Sequence, residues 1–295
     1  MRGGVRRCAG CRRRVSVTAG TVFDKTRTPL TVWFAAAWSL TTQKNGISAL
    51  GLKRVLGFGS YQTAWAMLHR YRSVMVRPGR ERLMGDVEMD ESFLGGPRPG
   101  KRGRGAAGKV LIAIAVEHDG TTHLGRARVG VINNAGAVEL RRFLTENVEP
   151  GSVLITDGLK SYPVAVGNTY THKPVNVKGS GQQAHEVLYG VHRVASLVKR
   201  WQLGTHQTSL EADHLSAYLN EFCFRFNRRH SRSRGMLFFR LMELAIAAPP
   251  VTYRSLVVNP TSKKTTPSPP LGRGKPQSLA RSPVSRPWRA GDTAS

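Results

Sequence analysis

The stretch that decides the fold is Val87–Leu94, which reads VEMDESFL and carries the acids Glu88 and Asp90 within an apolar run. A run of this length and composition predicts a β-strand. Another acid, Asp157, directly follows the short apolar run Val153–Thr156. The chain has only 18 acidic residues and a net charge of +27. Acids placed in or after apolar strands of such a basic chain therefore point to a specific chemical task.

The segments around this strand predict an α/β fold. Residues 110–116 form a continuous apolar run typical of a central strand, and residues 124–131 alternate between apolar and other side chains. Residues 137–144 then have apolar side chains at helical spacing before the strand at 153–156. The order from Val87 onward is three strands, a helix, a strand and further helices. This is the ribonuclease-H-like arrangement, with a mixed sheet and flanking helices.

Two carboxylates at the ends of strands can hold divalent metal ions if they lie within reach of each other. Two such ions, about 4 Å apart, can activate an attacking oxygen and stabilise a leaving one at a phosphodiester. The charge of +27 independently predicts a polyanionic partner, because Lys and Arg release counterions from nucleic acid. Together these features predict an enzyme that cuts DNA, whereas a ribosomal protein would share only the charge.

Length and composition exclude several classes of protein. With 295 residues, of which 40% are hydrophobic, the chain can build a substantial core. It contains no stretch of 18 or more uncharged apolar residues, and its N-terminus has no apolar segment of the signal-peptide kind. We therefore expect no membrane span and a cytoplasmic location, associated with the nucleoid. Three cysteines do not make a disulfide framework.

Residues 1–22 form a basic N-terminus with half of a zinc-ribbon pattern, the CxxC motif of Cys8 and Cys11. A structural zinc site needs four ligands, and the sequence has no second CxxC and no nearby pair of histidines. We expect either a solvated basic tail or a chain whose true start lies upstream of Met1. Zinc binding is expected only in a longer chain of that kind.

Residues 23–80 predict a small helical domain. A first helix with apolar side chains from Leu30 to Trp38 ends at the break Asn45-Gly46. Ser48 can then cap a short helix, for which Gly57 is a plausible end, and Ser60 can cap a longer one.

Two helices joined by a tight turn containing glycine, the second of them basic, favour a helix-turn-helix reader of the major groove. An ordinary helical subdomain is the alternative. The candidate DNA contacts in this region are Lys53, Arg54, Arg70 and Arg72.

Residues 97–109 form a basic loop too rich in glycine to be a helix. The loop lacks the P-loop pattern, so Lys101 and Arg102 are interpreted as contacts to the DNA backbone, with a solvated hairpin tip as the alternative. Residues 187–203 then predict a helix, and residues 215–226 a second helix with a core-packing stripe. Residues 259–295 have seven basic residues against one acid and predict a disordered cationic tail.

Several motifs in this order resemble the ISXO-like insertion-sequence transposases. These proteins join a zinc ribbon and a helical N-terminus to a ribonuclease-H-like catalytic domain of the DDE type. The similarity covers roughly residues 8–245, with the catalytic domain at 84–245. Each motif is weak alone, and the signal lies in their order. The motifs are Ser16–Phe23, Gly46–Ala49, Val87–Glu91 with Gly95-Gly96, Thr156–Gly158, Leu197–Trp201 and Glu221–Arg229.

The resemblance implies roles for four residues. Asp90 corresponds to the first metal-binding acid and Asp157 to the second. The third acidic position, seven residues before the helix lysine, falls on His192. Lys199 then resembles the lysine that contacts transposon-end DNA beside the scissile phosphate, and the neighbouring Arg200 is a further DNA contact. The chain departs from the pattern in two ways, because His192 replaces a glutamate and the first half of the ribbon is absent.

Other roles for these residues stay open at the level of sequence. Glu88 lies on the same strand face as Asp90, so either carboxylate could be the ligand. Asp157 precedes Gly158 and could simply open a turn. His192 could be an ordinary surface or core histidine, although its spacing to Lys199 places both on one helical face.

The sequence therefore predicts a transposase of a bacterial insertion sequence. Asp90, Asp157 and His192 would hold two Mg²⁺ or Mn²⁺ ions, with Glu186 or Glu88 next in line as third ligand. The expected partners are the double-stranded DNA of the transposon ends and of the target, bound by a homo-oligomer, because two ends must be brought together. The alternative is a catalytically inactive remnant or a DNA-binding regulator.

Overall fold

A computed structural model describes residues 5–12, 14–77, 79–95, 109–118, 123–176, 181, 183–207 and 212–257. The strands are β1 (Arg6–Arg7), β2 (Arg14–Val15), β3 (Asp86–Leu94), β4 (Val110–His118), β5 (Leu124–Val131), β6 (Val153–Thr156) and β7 (Thr171–Pro174). The helices are α1 (Leu30–Thr42), α2 (Ala49–Leu56), α3 (Tyr61–Val74), α4 (Ala137–Asn147), α5 (Tyr162–Val166), α6 (Ala184–Val187), α7 (Tyr189–His206), α8 (Leu215–Phe226), α9 (Arg234–Ala247) and α10 (Tyr253–Val257). Lys101, Arg102 and the tail at 259–295 lie outside the described residues.

Five strands form the main sheet, in the order β5-β4-β3-β6-β7. The central strand β3 pairs with β4 antiparallel along its whole length and with β6 in parallel. β4 pairs with β5 antiparallel, and β6 with β7 in parallel. Three antiparallel strands followed by two that run parallel to the first is the ribonuclease-H-like topology. The fold expected from the order of strands and helices is confirmed.

Helices cover both faces of this sheet. Alternate residues of β4 point to opposite layers, as a strand requires. Ala113 and Ala115 pack in the core formed with α4 and α5, whereas Ile112 and Ile114 pack in the core formed with α7 and α8. The strand therefore reads as a continuous apolar run because both of its faces are buried.

The helices α1, α2 and α3 form a separate core with α9. The local signals seen in the sequence set the bounds of α2, since Ser48 Oγ accepts a hydrogen bond from Gly51 N and Gly57 takes the left-handed conformation at the end. Helix α9 follows the helices of the sheet domain in sequence. The catalytic domain expected at 84–245 includes most of this helix. Leu241 and Ala245 instead pack with the N-terminal helices, so a C-terminal segment closes the helical cluster.

The junction between the helical cluster and α8 contains a buried ion pair. Arg72 on α3 donates from Nε to Glu221 Oε2 on α8 at 2.8 Å, and the two side chains are 1% and 0% exposed. The Arg72 guanidinium also lies over the Tyr218 ring, with its Cζ 4.1 Å from the ring centroid. This burial corrects the expectation that Arg72 contacts DNA. Arg70 is also engaged, because its Nε donates to Val251 O at 2.8 Å.

The loop between α1 and α2 packs against the same region. Trp201 Nε1 and Thr205 Oγ1 on α7 both donate to Asn45 O at 2.9 Å. Gly46 has a φ of +70°, and a Cβ at this position would clash with the guanidinium of Arg225. The Asn45-Gly46 break is therefore set by a close approach of α8 as well as by the end of α1.

The N-terminal segment contains a small hairpin, in which β1 and β2 pair antiparallel. Cys8 and Cys11 are exposed in its turn. Hydrogen bonds from the backbone and then the thiol of Cys11 lower the pKa of the Cys8 thiol. The two cysteines of the CxxC motif thus lie together in the turn of the hairpin.

Among the residues that the structure describes, no helix has both the length and the apolar character that a membrane span requires.

Candidate active site

Asp90 on β3 lies opposite Asp157, the residue that directly follows the neighbouring strand β6. In the parallel pairing of β3 with β6, Glu88 lies opposite Ile155. The same offset places Asp90 opposite Asp157, just beyond the last paired residue. Neighbouring strands are about 4.8 Å apart, so the two carboxylates share one edge of the site.

Asp90 is a partly buried acid in a mixed electrostatic environment. Its Oδ1 accepts a hydrogen bond from Glu91 N at 2.7 Å, and its Oδ2 lies 3.9 Å from His192 Nε2. The pKa of Asp90 is raised from 3.8 to about 6, mainly by burial and to a smaller extent by the charge of Asp157, against the Glu91 hydrogen bond and the charge of Lys199, which lower it. The charges of Asp157 and Lys199 thus act on the pKa of Asp90, and His192 lies within 3.9 Å of its carboxylate.

Asp157 also has a local role. Its Oδ1 accepts a hydrogen bond from Leu159 N at 3.0 Å, which is an Asx turn after β6. The turn-forming role and the ligand role are compatible, because a carboxylate has two oxygens and several acceptor sites.

Helix α7 brings His192 and Lys199 towards these acids, and Glu88 fixes where that helix begins. The residue before the helix, Leu188, provides no side-chain cap. Glu88 Oε2 accepts the hydrogen bond from Val191 N at 2.9 Å instead. A Cβ at Gly190 would lie only 2.8 Å from Glu88 Oε2, so glycine permits this close approach.

Glu88 is therefore occupied as a positioning residue for α7. Its other oxygen, Oε1, lies 3.4 Å from His118 Nε2, and the side chain is 4% exposed. Compared with Glu88, Asp90 has the more open carboxylate, since its side chain is 21% exposed.

Glu91, a further acid of β3, has a partner that the sequence did not indicate. The Tyr162 hydroxyl on α5 donates to Glu91 Oε1 at 2.6 Å. Burial, followed by the charge of Glu91, raises the pKa of Tyr162 well above its usual value, so this phenol stays protonated as a donor. An acid next to Asp90 was visible in the sequence, but its partner lies 71 residues away and no local pattern points to it.

The donor set fits a divalent cation in part. Carboxylate oxygens suit Mg²⁺, and imidazole is accepted more readily by Mn²⁺. The separation of 3.9 Å between Asp90 Oδ2 and His192 Nε2 is below twice a metal–ligand distance of about 2.1 Å. Within the described ranges, however, no three His, Cys, Asp or Glu side chains are grouped closely enough to hold a metal together. Asp90 and Asp157 are thus a pair that a cation would stabilise, with His192 as the nearest further donor.

The other candidate DNA contacts lie on exposed surfaces. Arg54 on α2 is exposed and Lys53 is half-buried, and on α7 both Lys199 and Arg200 are exposed. Glu186, the alternative third ligand, is exposed on α6, and its Oε2 accepts a hydrogen bond from Gln183 N.

The raised pKa of Asp90 predicts that Asp90→Asn stabilises the protein near neutral pH. The folded state holds the proton with a pKa of about 6 against the ordinary 3.8 of an aspartate, so the free energy of unfolding falls as pH rises between these values. In a chelator, the free energy of unfolding of Asp90→Asn at pH 7.5 should exceed that of the parent by about 1–3 kcal/mol. The gain should vanish at pH 4 in urea titrations. If Asp90→Asn and the parent have the same free energy of unfolding at both pH values, the pKa of Asp90 is not raised in the folded protein.

Comparison with known proteins gives these observations a context. A family model described as the ISXO2-like transposase domain matches residues 82–227. A protein in transposable element ISH50 of Halobacterium salinarum is 26% identical over 234 residues, which are 74% of this chain and 76% of that protein.

Solved structures show a weaker likeness. The intasome of simian T-cell lymphotropic virus in complex with PP2A regulatory subunit B56 gamma has a TM-score of 0.33 at 11% identity, over 65% of this chain and 70% of that chain. A pre-cleavage Mos1 transpososome has a TM-score of 0.29 at 10% identity, over 74% and 79% of the two chains. Because these scores are low, the fold assignment rests on the strand order.

Proposed function

We propose that this chain binds the ends of an insertion element and cuts them with divalent metal ions, because a family model described as the ISXO2-like transposase domain matches residues 82–227. The observation that carries the proposal is the level of Asp90 and Asp157 on adjacent parallel strands, with His192 3.9 Å from Asp90. A metal-dependent nuclease needs such a set of carboxylates at one sheet edge.

The residues divide the work between metal and DNA. Asp90 and Asp157, with His192, would hold the ions, which would supply activation of the attacking oxygen and stabilisation of the leaving one. Lys199 would contact a phosphate, which is supported by its exposure and by its position on the same face of α7 as His192. The same site would serve the nicking of the element end and the transfer of its 3′ end to target DNA.

The helical cluster is proposed to select the end sequence. Lys53 and Arg54 are the cations on the accessible surface of α2, and both would contact the DNA backbone. Two ends have to be held together for transposition, so we propose that the protein acts as a homo-oligomer on DNA, in the cytoplasm of a bacterial cell.

A second candidate function is a DNA-binding regulator or inactive remnant without catalysis. Two observations favour it: His192 stands where the family pattern has glutamate, and the described residues contain no ready group of three metal-binding side chains. The two functions differ in whether purified protein with a divalent ion nicks a labelled duplex of the element end.

His192 provides the test that separates them. If it is a ligand, the ratio of the cleavage rate in Mn²⁺ to that in Mg²⁺ should be at least about threefold higher for the parent than for His192→Glu, because imidazole binds Mn²⁺ better than Mg²⁺. Ser196→Ala, an exposed change on the same helix, should keep the parental ratio.

Two outcomes would count against this proposal. Absence of cleavage by both the parent and His192→Glu in either metal would favour the regulator. If His192→Ala cleaves as fast as the parent in Mg²⁺, His192 is not a ligand. Glu186 would then be the next candidate, since Glu88 already accepts the hydrogen bond from Val191 N.

A further inference from the structure

A cavity of about 700 Å³ lies between α7, α8 and the end of α1. Its apolar part is formed by Leu124, Leu197, Trp201, Phe222 and Phe226. Seven Lys and Arg side chains also line it, and none of the described lining residues is acidic. We call it the basic-aromatic cavity.

In the described part of the chain, most of these cations form no ion pair with an acid. Arg229 Nη1 donates to Gly125 O at 3.2 Å, and Arg234 Nη1 donates to Thr42 O at 3.3 Å. Carbonyl oxygens fix the direction of a guanidinium but do not cancel its charge. Among the residues that the structure describes, Arg225 forms an ion pair with a carboxylate, its Nη1 lying 3.4 Å from Glu221 Oε1. The cavity therefore combines apolar walls with a strongly positive field.

Five of the seven cations are exposed, and two of these follow candidate site residues directly in the sequence of α7. Arg193 and Arg200 are exposed on α7, each one residue after His192 and Lys199 respectively. One residue corresponds to about 100° of rotation on a helix, so the two pairs form adjacent stripes. A DNA strand that contacts His192 and Lys199 would thus meet the adjacent stripe of cavity cations on the same helix.

We propose that the basic-aromatic cavity binds unpaired nucleotides of the DNA strand next to the phosphate that is cut. The proposal rests on the proposed function, because that function supplies the strand. A base has a flat apolar face for the aromatic wall, and its phosphates match the cations on the rim. The volume suits one or two nucleotides but not a duplex, whose bases remain stacked inside.

The positive charge of the lining residues favours a polyanionic occupant. Tyr189 is placed to stack on an incoming base, because it lines the cavity and its side chain is 37% exposed.

The test compares single-stranded with duplex DNA by fluorescence anisotropy, using the full chain, a labelled eight-nucleotide oligothymidylate and a duplex of the element end. Lys44→Ala/Arg193→Ala, which removes two exposed cations of the cavity, should weaken binding of the single strand roughly tenfold or more, and Tyr189→Ala about fivefold, while duplex binding changes less than about threefold. The double variant should also make the slope of log K against log salt concentration shallower by roughly 1.4, since each single-strand phosphate contact contributes about 0.7 to that slope.

The matched control is Arg82→Ala/Arg142→Ala. It removes the same charge from exposed arginines that pair with Glu149 and with Glu139 and Glu146, away from the cavity. If the control weakens single-strand binding as much as the cavity variant, or if the cavity variant weakens both DNAs equally, the cations act as general charge and the inference is wrong.

The assay requires no cleavage, so its result separates from that of the proposed function. If the cavity variant loses single-strand binding although the parent chain cuts no DNA, the inference about the cavity stands and only the proposed enzymatic activity is wrong.

Discussion

Asp157→Asn is expected to lower the rate of end cleavage by about three orders of magnitude or more, and Asp90→Asn by a similar factor. A carboxylate that holds a catalytic metal contributes several kcal/mol to transition-state stabilisation, and each 1.4 kcal/mol is a factor of about ten. Asparagine keeps the acceptor oxygen that Leu159 N uses after β6, and the one that Glu91 N uses on β3. The substitutions therefore remove charge while leaving both local hydrogen bonds possible.

Binding and cleavage are measured separately, by gel shift and by release of a labelled strand. End binding should stay within about threefold of the parent, because neither carboxylate contacts a phosphate without a metal. Asp86→Asn is the control, since it makes the same change on the same face of β3, about 13 Å along the strand. Parallel loss of binding and cleavage in Asp157→Asn would make Asp157 a structural residue of the turn, and loss of cleavage in Asp86→Asn would remove the specificity of the assignment.

Glu221→Ala is expected to lower the free energy of unfolding by about 3–5 kcal/mol. The side chain is fully buried and pairs with Arg72 Nε at 2.8 Å and with Arg225 Nη1 at 3.4 Å. Nη1 and Nη2 of Arg72 are buried without a hydrogen bond from the described residues. Removing the carboxylate therefore leaves a buried guanidinium with no counter-charge, between the helical cluster and α8.

Urea denaturation of a double-mutant cycle measures this effect. Arg72→Met/Glu221→Leu should be more stable than Glu221→Ala alone, because no unpaired charge remains. Glu146→Ala, which breaks an exposed pair with Arg142, should cost less than about 1 kcal/mol. If Glu221→Ala costs no more than Glu146→Ala, water or rearrangement compensates the charge, and the ion pair does not hold the junction together.

Much of the local structure was determined by the sequence. The apolar runs and spacings predicted β3 to β6, α7 and α8 in order, because each pattern depends only on which faces of one element are buried. Ser48 and Gly57 marked the ends of α2 through their own side-chain and backbone preferences. The scarcity of acids in a chain of charge +27 selected Asp90 and Asp157 as site candidates, and the strand order then placed them at one level.

The tertiary structure decided which charged residues are available to DNA. Arg72 and Arg54 are both arginines on short helices, but a partner 149 residues away buries Arg72, and no local pattern marks that partner. In the same way, Glu88 accepts a hydrogen bond from Val191 N, which lies far from it in sequence. Helix α9 likewise belongs to the helical cluster only because it packs against the N-terminal helices. A sequence pattern reports the face that an element buries, whereas the desolvation of a charge depends on what packs against that face. Only the folded chain brings that partner into contact.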